Sequence, residues 1–331
     1  QGSRWAVSQG YGSEEDIETT EDHGAMAGAD PDKVSPRAIE RGRDQLGTLG
    51  SGNHFLEVEV VEEIFDPEVA AVFGLSVGQV AVLIHTGSRG LGYQICDDYL
   101  ARMVKKMSEL GVPIPDRQLA CSWLESQAGR DYLAAMSCAA NYAWANRQML
   151  MHWTRETFEK TLRKSPRELG MKLLYDVCHN IAKLETFPVD GNMMELCVHR
   201  KGATRSFPPG HPALPVCYRK VGQPVLIPGD MGTGSYVMVG TEKAYQETFG
   251  STCHGAGRVM SRAQATRASS GRQIAREMAD RGVLVMASGK GTLKEEIPEA
   301  YKKLDDVIDV VHRAGLSRKV ARLRAVCCIK G

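Results

Sequence analysis

The residues best suited by type to do chemistry lie in Ser251-Thr-Cys-His-Gly-Ala-Gly-Arg-Val-Met-Ser-Arg262, which sets one imidazole, His254, among small residues. Glycines permit tight backbone geometry and leave room for a bulky phosphorylated ligand. Arg258 and Arg262 follow at a four-residue spacing. If the segment after Gly257 is helical, they share a face and can hold phosphate oxygens beside the imidazole. That is a nucleophile or ligand arrangement. The plain alternative is a glycine turn with a structural histidine.

Other reactive side chains recur at strand ends. Asn53, His54 and Glu57 stand at the entrance of an alternating strand, Val58–Glu62, where His54 and Glu57 are free to point at a common pocket. The apolar run Gln79–Ile84 delivers His85 and then Thr-Gly-Ser-Arg-Gly-Leu-Gly92, a usual way to place a polar side chain at the mouth of a sheet, although a lone histidine there is often structural. His179 and Asn180 follow an apolar stretch from Leu173. Cys178, His179, Cys197 and His199 have the ligand types for zinc, but their spacing fits no closed structural site. The strand Met194–His199 leads into Arg200-Lys-Gly-Ala-Thr-Arg205, a compact basic turn for which simple solvation is one reading.

These residues need elements to position them. Gly47, Gly50 and Gly52 precede a strand instead of following one and opening a helix, which excludes a dinucleotide-binding loop. Ser288-Gly-Lys-Gly-Thr292 mimics a phosphate loop, yet Leu284 stands where that motif requires its first glycine. Pro224–Gly240 reads as strand, glycine-rich turn and strand, and successive N–H groups in such a turn can cradle an anion. Ser35-Pro36 opens a short capped helix. Helical periodicity covers Gln94–Leu110, closed by Pro113 and Pro115, and Asp131–Leu162, where Met136, Ala140, Trp144 and Met149 read as core. A helix over Pro298–His312 and a strand over Ala325–Ile329 end the chain, presenting Lys330. Alternating strands and separated helices without a regular βαβ repeat predict one compact α+β domain over 1–331, with mixed or antiparallel sheets flanked by helices.

Composition sets the bounds. A chain of 331 residues with 43% hydrophobic content can bury a large core. A net charge of +1 gives no bulk electrostatic case for nucleic acid, so any such binding must come from a local patch. Nine cysteines without a C-x-x-C pair, in a chain with no signal-like apolar start, read as reduced thiols of a cytosolic protein. No apolar run reaches the ~18 residues of a membrane span. The chain opens on Gln1, which suggests a fragment or a processed product.

Gly-Ser-Gly-Asn-His-Phe-Leu-Glu57, His85-Thr-Gly-Ser-Arg-Gly90, Asp176-Val-Cys-His-Asn180, Arg200-Lys-Gly-Ala203, Pro228-Gly-Asp-Met-Gly232, Cys253-His-Gly-Ala-Gly-Arg258 and the final Lys330-Gly331 together resemble the RtcB family of RNA-splicing ligases. The resemblance runs nearly the whole length, in order. It implies joining of an RNA 3′-phosphate, or 2′,3′-cyclic phosphate, to a 5′-hydroxyl end, dependent on GTP and two Mn(II) ions. By matching motif, His254 resembles the nucleophile that takes up GMP, and His54, His85 and His179 resemble metal ligands. Asn53, His54, Phe55, Leu56, Glu57, His179, Asn180, Pro228, Gly229, Asp230, Met231, Ser235, Gly255, Ala256, Gly257 and Lys330 would complete the nucleotide pocket around His254. Glu57 accepting from guanine N1 and N2, and Lys330 donating to O6 or N7, would discriminate against adenine. Arg89, Arg258 and Arg262 are candidates for phosphate or RNA-end contacts, and archease is a candidate activating partner.

The sequence departs from the family pattern twice. It contains no Asp-x-x-Cys-Gly motif, whose Asp and Cys also ligate metal, so the favoured reading is an N-terminally incomplete copy of an active ligase. Asp230 stands where many members have Ser, and its charge would either repel phosphate or recruit metal. Two other readings use the same residues: a metal-dependent phosphoesterase, which needs no GTP and forms no adduct, and a non-catalytic RNA-end-binding remnant.

Overall fold

The computed structural model describes residues 1–111, 113 and 115–331. Contacts divide the chain into two compact units, residues 1–48 with 86–172 and residues 49–85 with 173–331. The mixture of helices with a mainly antiparallel sheet is the predicted α+β class. Among the described residues no helix is long and apolar enough to cross a membrane.

The first unit is helical, with α1 (Gly2–Ser8), α2 (Pro36–Arg43), α3 (Arg89–Leu110) and α4 (Gln127–Leu162). Ser35 caps α2 as expected, its Oγ accepting from Ala38 N at 3.1 Å. α4 begins four residues before its predicted start because Ser126 caps it, accepting from Gly129 N. Trp144 and Ala140 are buried, as their spacing predicts, while Met136 and Met149 are half-buried. Three buried amides on α4 hold the irregular early chain: Asn141 pairs both ways with the Met26 backbone, Asn146 with that of Thr48, and Gln148 Nε2 donates to Tyr11 O. A segment with little regular structure is thereby given partners for its backbone groups.

The second unit carries the strands: β1 (Phe55–Ile64), β2 (Val80–His85), β3 (Asn180–Val189), β4 (Asn192–Lys201), β5 (Ala203–Arg205), β6 (Pro224–Pro228), β7 (Ser235–Gly240), β8 (Ser251–Cys253), β9 (Leu284–Ala287) and β10 (Ser317–Lys330). The main sheet runs β2-β1-β10-β7-β6, and β9 pairs in parallel with the end of β10. β3 and β4 form a hairpin closed by Asp190 (φ 48°) and Gly191 (φ 81°), the left-handed pair that a two-residue turn requires. Along β1 the alternation buries Phe55, Glu57 and Glu59 and leaves Leu56, Val58 and Val60 half-buried on the opposite face.

Helices α5 (Arg262–Ala268), α6 (Ile274–Asp280) and α7 (Leu304–Ala314) belong to the same unit, as do the short helices Pro67–Phe73, Glu242–Glu247 and Lys290–Glu295. The helix predicted from Pro298 to His312 is broken: a single turn at Pro298–Ala300 precedes α7, because Tyr301 extends to bridge Arg258. The arginines of the basic turn are not solvated either, although Lys201 between them is exposed. Arg200 and Arg205 are 1% and 2% exposed, Arg200 forked onto Glu185 and Arg205 bonded to Gln223 and Tyr175.

Candidate active site

Three histidines converge from separate strand ends of the second unit. His85 is the last residue of β2, paired in register with Phe55, whose ring meets the imidazole edge-on. His179 directly precedes β3, and His254 directly follows β8. Gly202 (φ 64°) ties the last two together: its N–H donates to His179 O, and its own carbonyl accepts from His254 N. His85 Nε2 and His179 Nε2 are 2.9 Å apart, and the His179 ring lies flat on His254, centroids 3.6 Å apart. One ring nitrogen from each fits within 4.8 Å of the others.

This donor set suits a divalent cation. Two imidazole nitrogens bound to one ion at ~2.1 Å and at right angles lie ~3 Å apart, close to the separation found. Nδ1 of His85 is buried without a protein partner. Burial, then the neighbouring imidazoles, pushes His85 well below the usual histidine range. Burial, then Lys201, lowers His254 to about 4. Both rings are therefore neutral near pH 7, the state a ligand or nucleophile needs. His54 lies outside this close group, its ring 6.1 Å from that of His85.

The imidazoles of His85 and His254 border a cleft of about 250 Å³. Of the residues expected around a nucleotide, it gathers Asn53, Phe55, Glu57, the Pro228–Met231 turn, His254–Gly257 and Lys330. It does not gather His54, Leu56, His179, Asn180 or Ser235. Leu56 points to the other face of β1, and Ser235 Oγ instead donates to Glu59 Oε2 at 2.8 Å. Glu57 is 1% exposed, and burial, then the charge of Glu59, raises its carboxyl well above the ordinary range. Lys330 is lowered by burial, and its Nζ donates to Gly52 O at 3.1 Å. The glycine loop thus receives the end of β10: a Cβ on Gly331 would stand 2.7 Å from Gly50 O. Asp230 spends its carboxylate on its own turn, accepting from Gly232 N and Thr233 Oγ1.

The arginines divide. Arg258 and Arg262 do not share a helical face, because Ser261 caps α5 through a reciprocal pair with Gln264 and Arg258 precedes the helix. All three nitrogens of Arg258 are committed, Nε to Met260 O, Nη1 to Tyr301 and Glu296, and Nη2 to Glu295 O. Tyr301 also donates to Glu296. Arg262 is half-exposed, with only loose contacts of 3.6 and 3.7 Å to Glu296 and Glu295. Arg89 belongs to the first unit, where it heads α3 with φ 53° and donates to Thr48 Oγ1. Glu296 and Tyr301 line the cleft without a sequence signal that singled them out, and Gly202 lines it from within the Arg200–Ala203 motif without having been assigned a role there; Glu59, behind it, was legible in the alternation Glu57-Val-Glu59.

An α+β chain whose strand ends gather imidazoles beside a cleft holding a buried carboxylate and a buried lysine has the equipment of an enzyme. Residues 1–331 match the family described as tRNA-splicing ligase RtcB. The chain is 57% identical over 331 residues to the tRNA-splicing ligase RtcB of Archaeoglobus fulgidus, covering all of this chain and 69% of that protein. It is 57% identical over 330 residues to that of Pyrococcus abyssi and 56% identical over 331 residues to that of Methanocaldococcus jannaschii, covering all of this chain but only 36% and 34% of those longer proteins. The chain belongs to the RtcB family, whose named members are RNA-ligase enzymes.

Proposed function

We propose that this chain is a GTP- and Mn(II)-dependent RNA ligase that joins a 3′-phosphate or 2′,3′-cyclic phosphate end to a 5′-hydroxyl end. What carries the reading is His254: a neutral imidazole held flat against His179 at the edge of a cleft whose floor holds Glu57 and Lys330. In the first step a ring nitrogen of His254 attacks the α-phosphorus of GTP. A P–N bond forms, the bond to the β-phosphate oxygen breaks, and pyrophosphate leaves. An RNA 3′-phosphate oxygen then displaces the imidazole and acquires GMP. Finally the 5′-hydroxyl attacks that 3′-phosphate, releasing GMP.

His85 and His179, with His54 as the further candidate, would hold Mn(II), which when bound polarises phosphoryl oxygens and offsets charge on the leaving group. Stacking on His179 fixes the plane of the His254 ring, so its attacking nitrogen is oriented before substrate arrives. Glu57 would accept from guanine N1 and N2, with Lys330 at O6 or N7. Tyr301 and Glu296 hold Arg258 in place, leaving the more exposed Arg262 as the cation for a phosphate. The substrates would be tRNA halves or broken RNA in the cytoplasm, with archease as candidate activator.

The same geometry supports one competing reading, because His254 also completes the three-imidazole set and would then be a ligand of a phosphoesterase. One assay separates them. The chain is incubated with Mn(II) and GTP labelled at the α-phosphate, beside His254→Ala. Acid-labile, alkali-stable label that survives denaturation, on the parent alone, is the expected result. Phosphate-ester hydrolysis with no label on the parent overturns the ligase reading.

A further inference from the structure

Behind the cleft lies a second carboxylate that the proposed chemistry does not use. Glu57 and Glu59 point the same way from β1 and are 1% and 0% exposed. Each has one buried oxygen without a protein partner, Oε2 of Glu57 and Oε1 of Glu59. Glu57 lines the cleft and Glu59 does not. Side chains at i and i+2 on one strand face stand ~7 Å apart at Cβ, close enough for two carboxylates to repel strongly in a dry site.

The surroundings of the pair are uneven. Glu57 faces Cys328 and Lys330 from β10 and Asp230 from the β6–β7 turn, and its charge is also felt by Cys327. Lys330 in turn lies in the field of Glu296 and Arg258. Glu59 has Ser235 of β7 as its hydrogen-bond donor. The register of β1 on β10 slips between Val58 and Glu59, so Val58 faces Cys327 and Glu59 faces Ala325. Glu59 is thereby set against a small apolar residue with no cation opposite it.

We propose that Glu57 and Glu59 hold one proton between them, which sits on Glu57 in the empty cleft and moves to Glu59 when a guanine edge docks, making Glu59 a positioning residue for base recognition. The inference rests on the reading of Glu57 as the acceptor for guanine N1 and N2. To accept from two N–H groups Glu57 must be an anion. The proton it gives up goes to Oε1 of Glu59, so the pair carries one proton before and after and no external base is consumed. Burial of both groups favours the shared proton: it raises Glu57 well above the ordinary range and Glu59 to about 7.

A merely structural Glu59 and a proton-sharing Glu59 give opposite results in a pH profile of nucleotide affinity. GMP and AMP binding to the full chain is measured by calorimetry from pH 6 to pH 9, for the parent and for Glu59→Gln. In the parent the proton stays within the pair, so GMP affinity should be nearly flat across this range. In Glu59→Gln burial still raises Glu57 and its proton has no buried acceptor, so it must leave for solvent and GMP affinity should rise by up to ~10-fold per pH unit. AMP affinity should not change. Should Glu59→Gln fail to fold, Ser235→Ala serves, since removing the donor to Glu59 Oε2 makes Glu59 the better proton acceptor and should tighten GMP binding. A Glu59→Gln variant whose GMP affinity has the same pH dependence as the parent's overturns the proton-sharing pair. Equal affinity of the parent for GMP and AMP overturns the base-recognition reading beneath it, a result that no behaviour of Glu59 can mimic.

Discussion

The imidazoles of His179 and His254 lie parallel, 4° between planes and 3.6 Å between centroids, while the Nε2 of His179 faces that of His85. The stacked pair links two roles. On the proposed reading, whatever orients His179 as a ligand also orients His254 for attack.

Removing a ligand should therefore show first in metal affinity. His85→Ala is expected to weaken Mn(II) binding by more than ~10-fold, since loss of even an outer-shell partner of a metal site costs ~10–100-fold. Titration followed by the EPR signal of free Mn(II) reads this without any turnover. His254→Ala should bind Mn(II) nearly as well as the parent; a loss equal to that of His85→Ala would make His254 a ligand and not the nucleophile.

The two arginines after Gly257 should behave as different kinds of residue. Arg258→Ala leaves Glu296, 2% exposed, with only the Tyr301 hydroxyl and the loose contact of Arg262 in place of its close cation, and should cost ~3 kcal/mol of stability. Arg262→Ala breaks only loose contacts of a half-exposed side chain and should cost less than ~0.5 kcal/mol. Urea midpoints of the two variants test the contrast. RNA-binding assays should rank them the other way, with Arg262→Ala losing affinity while remaining folded.

Much of this arrangement was legible in the sequence, and the failures have local causes. The strand end bearing His85 could be read because an apolar run stops at a glycine-rich turn, whereas His254 was legible only as an imidazole among small residues, since the short strand Ser251–Cys253 before it carries no apolar run. The shared face of Arg258 and Arg262 could not hold, because Ser261 and Gln264 form a capping box that starts the helix only at Arg262, four residues after Arg258, and that box is visible in the sequence. The hairpin signal Asp190-Gly191 was equally available. What periodicity could not show was pairing across long separations: that Glu59 would take up Ser235, that Tyr301 would reach Arg258, or that α4 would gather the early chain through buried amides. Arg200 and Arg205 misled for the same reason, since burial of an arginine depends on partners distant in sequence.

Arg200 makes that dependence measurable. Its guanidinium meets both oxygens of Glu185, Ser251 Oγ and Phe249 O while only 1% exposed. Arg200→Met alone strands the Glu185 carboxylate and should destabilise by ~3–5 kcal/mol. Adding Glu185→Leu removes the stranded charge, so the double variant should recover part of the loss. A double variant no more stable than Arg200→Met would show that the bonds to Ser251 and Phe249, and not the ion pair, make Arg200 necessary.

A pH dependence should follow from Asp16 in the first unit. Burial raises its carboxyl, but the hydrogen bonds and charge of Arg155, with Ser13 N and Gln148, more than offset this and hold it below its ordinary value of 3.8. Both Asp16 oxygens accept from Arg155, at 2.7 and 2.8 Å. For an acid whose folded value is depressed, the added stability is complete above the unfolded value and disappears as pH falls through the folded one. Asp16→Asn should therefore cost ~2–4 kcal/mol at pH 7, and the gap to the parent should close only below pH 3.8. All four tryptophans, Trp5, Trp123, Trp144 and Trp153, lie in this unit. Their fluorescence during urea unfolding consequently reports this unit, and a gap that persists at pH 2 would show that shape, not charge, is what Asp16 supplies.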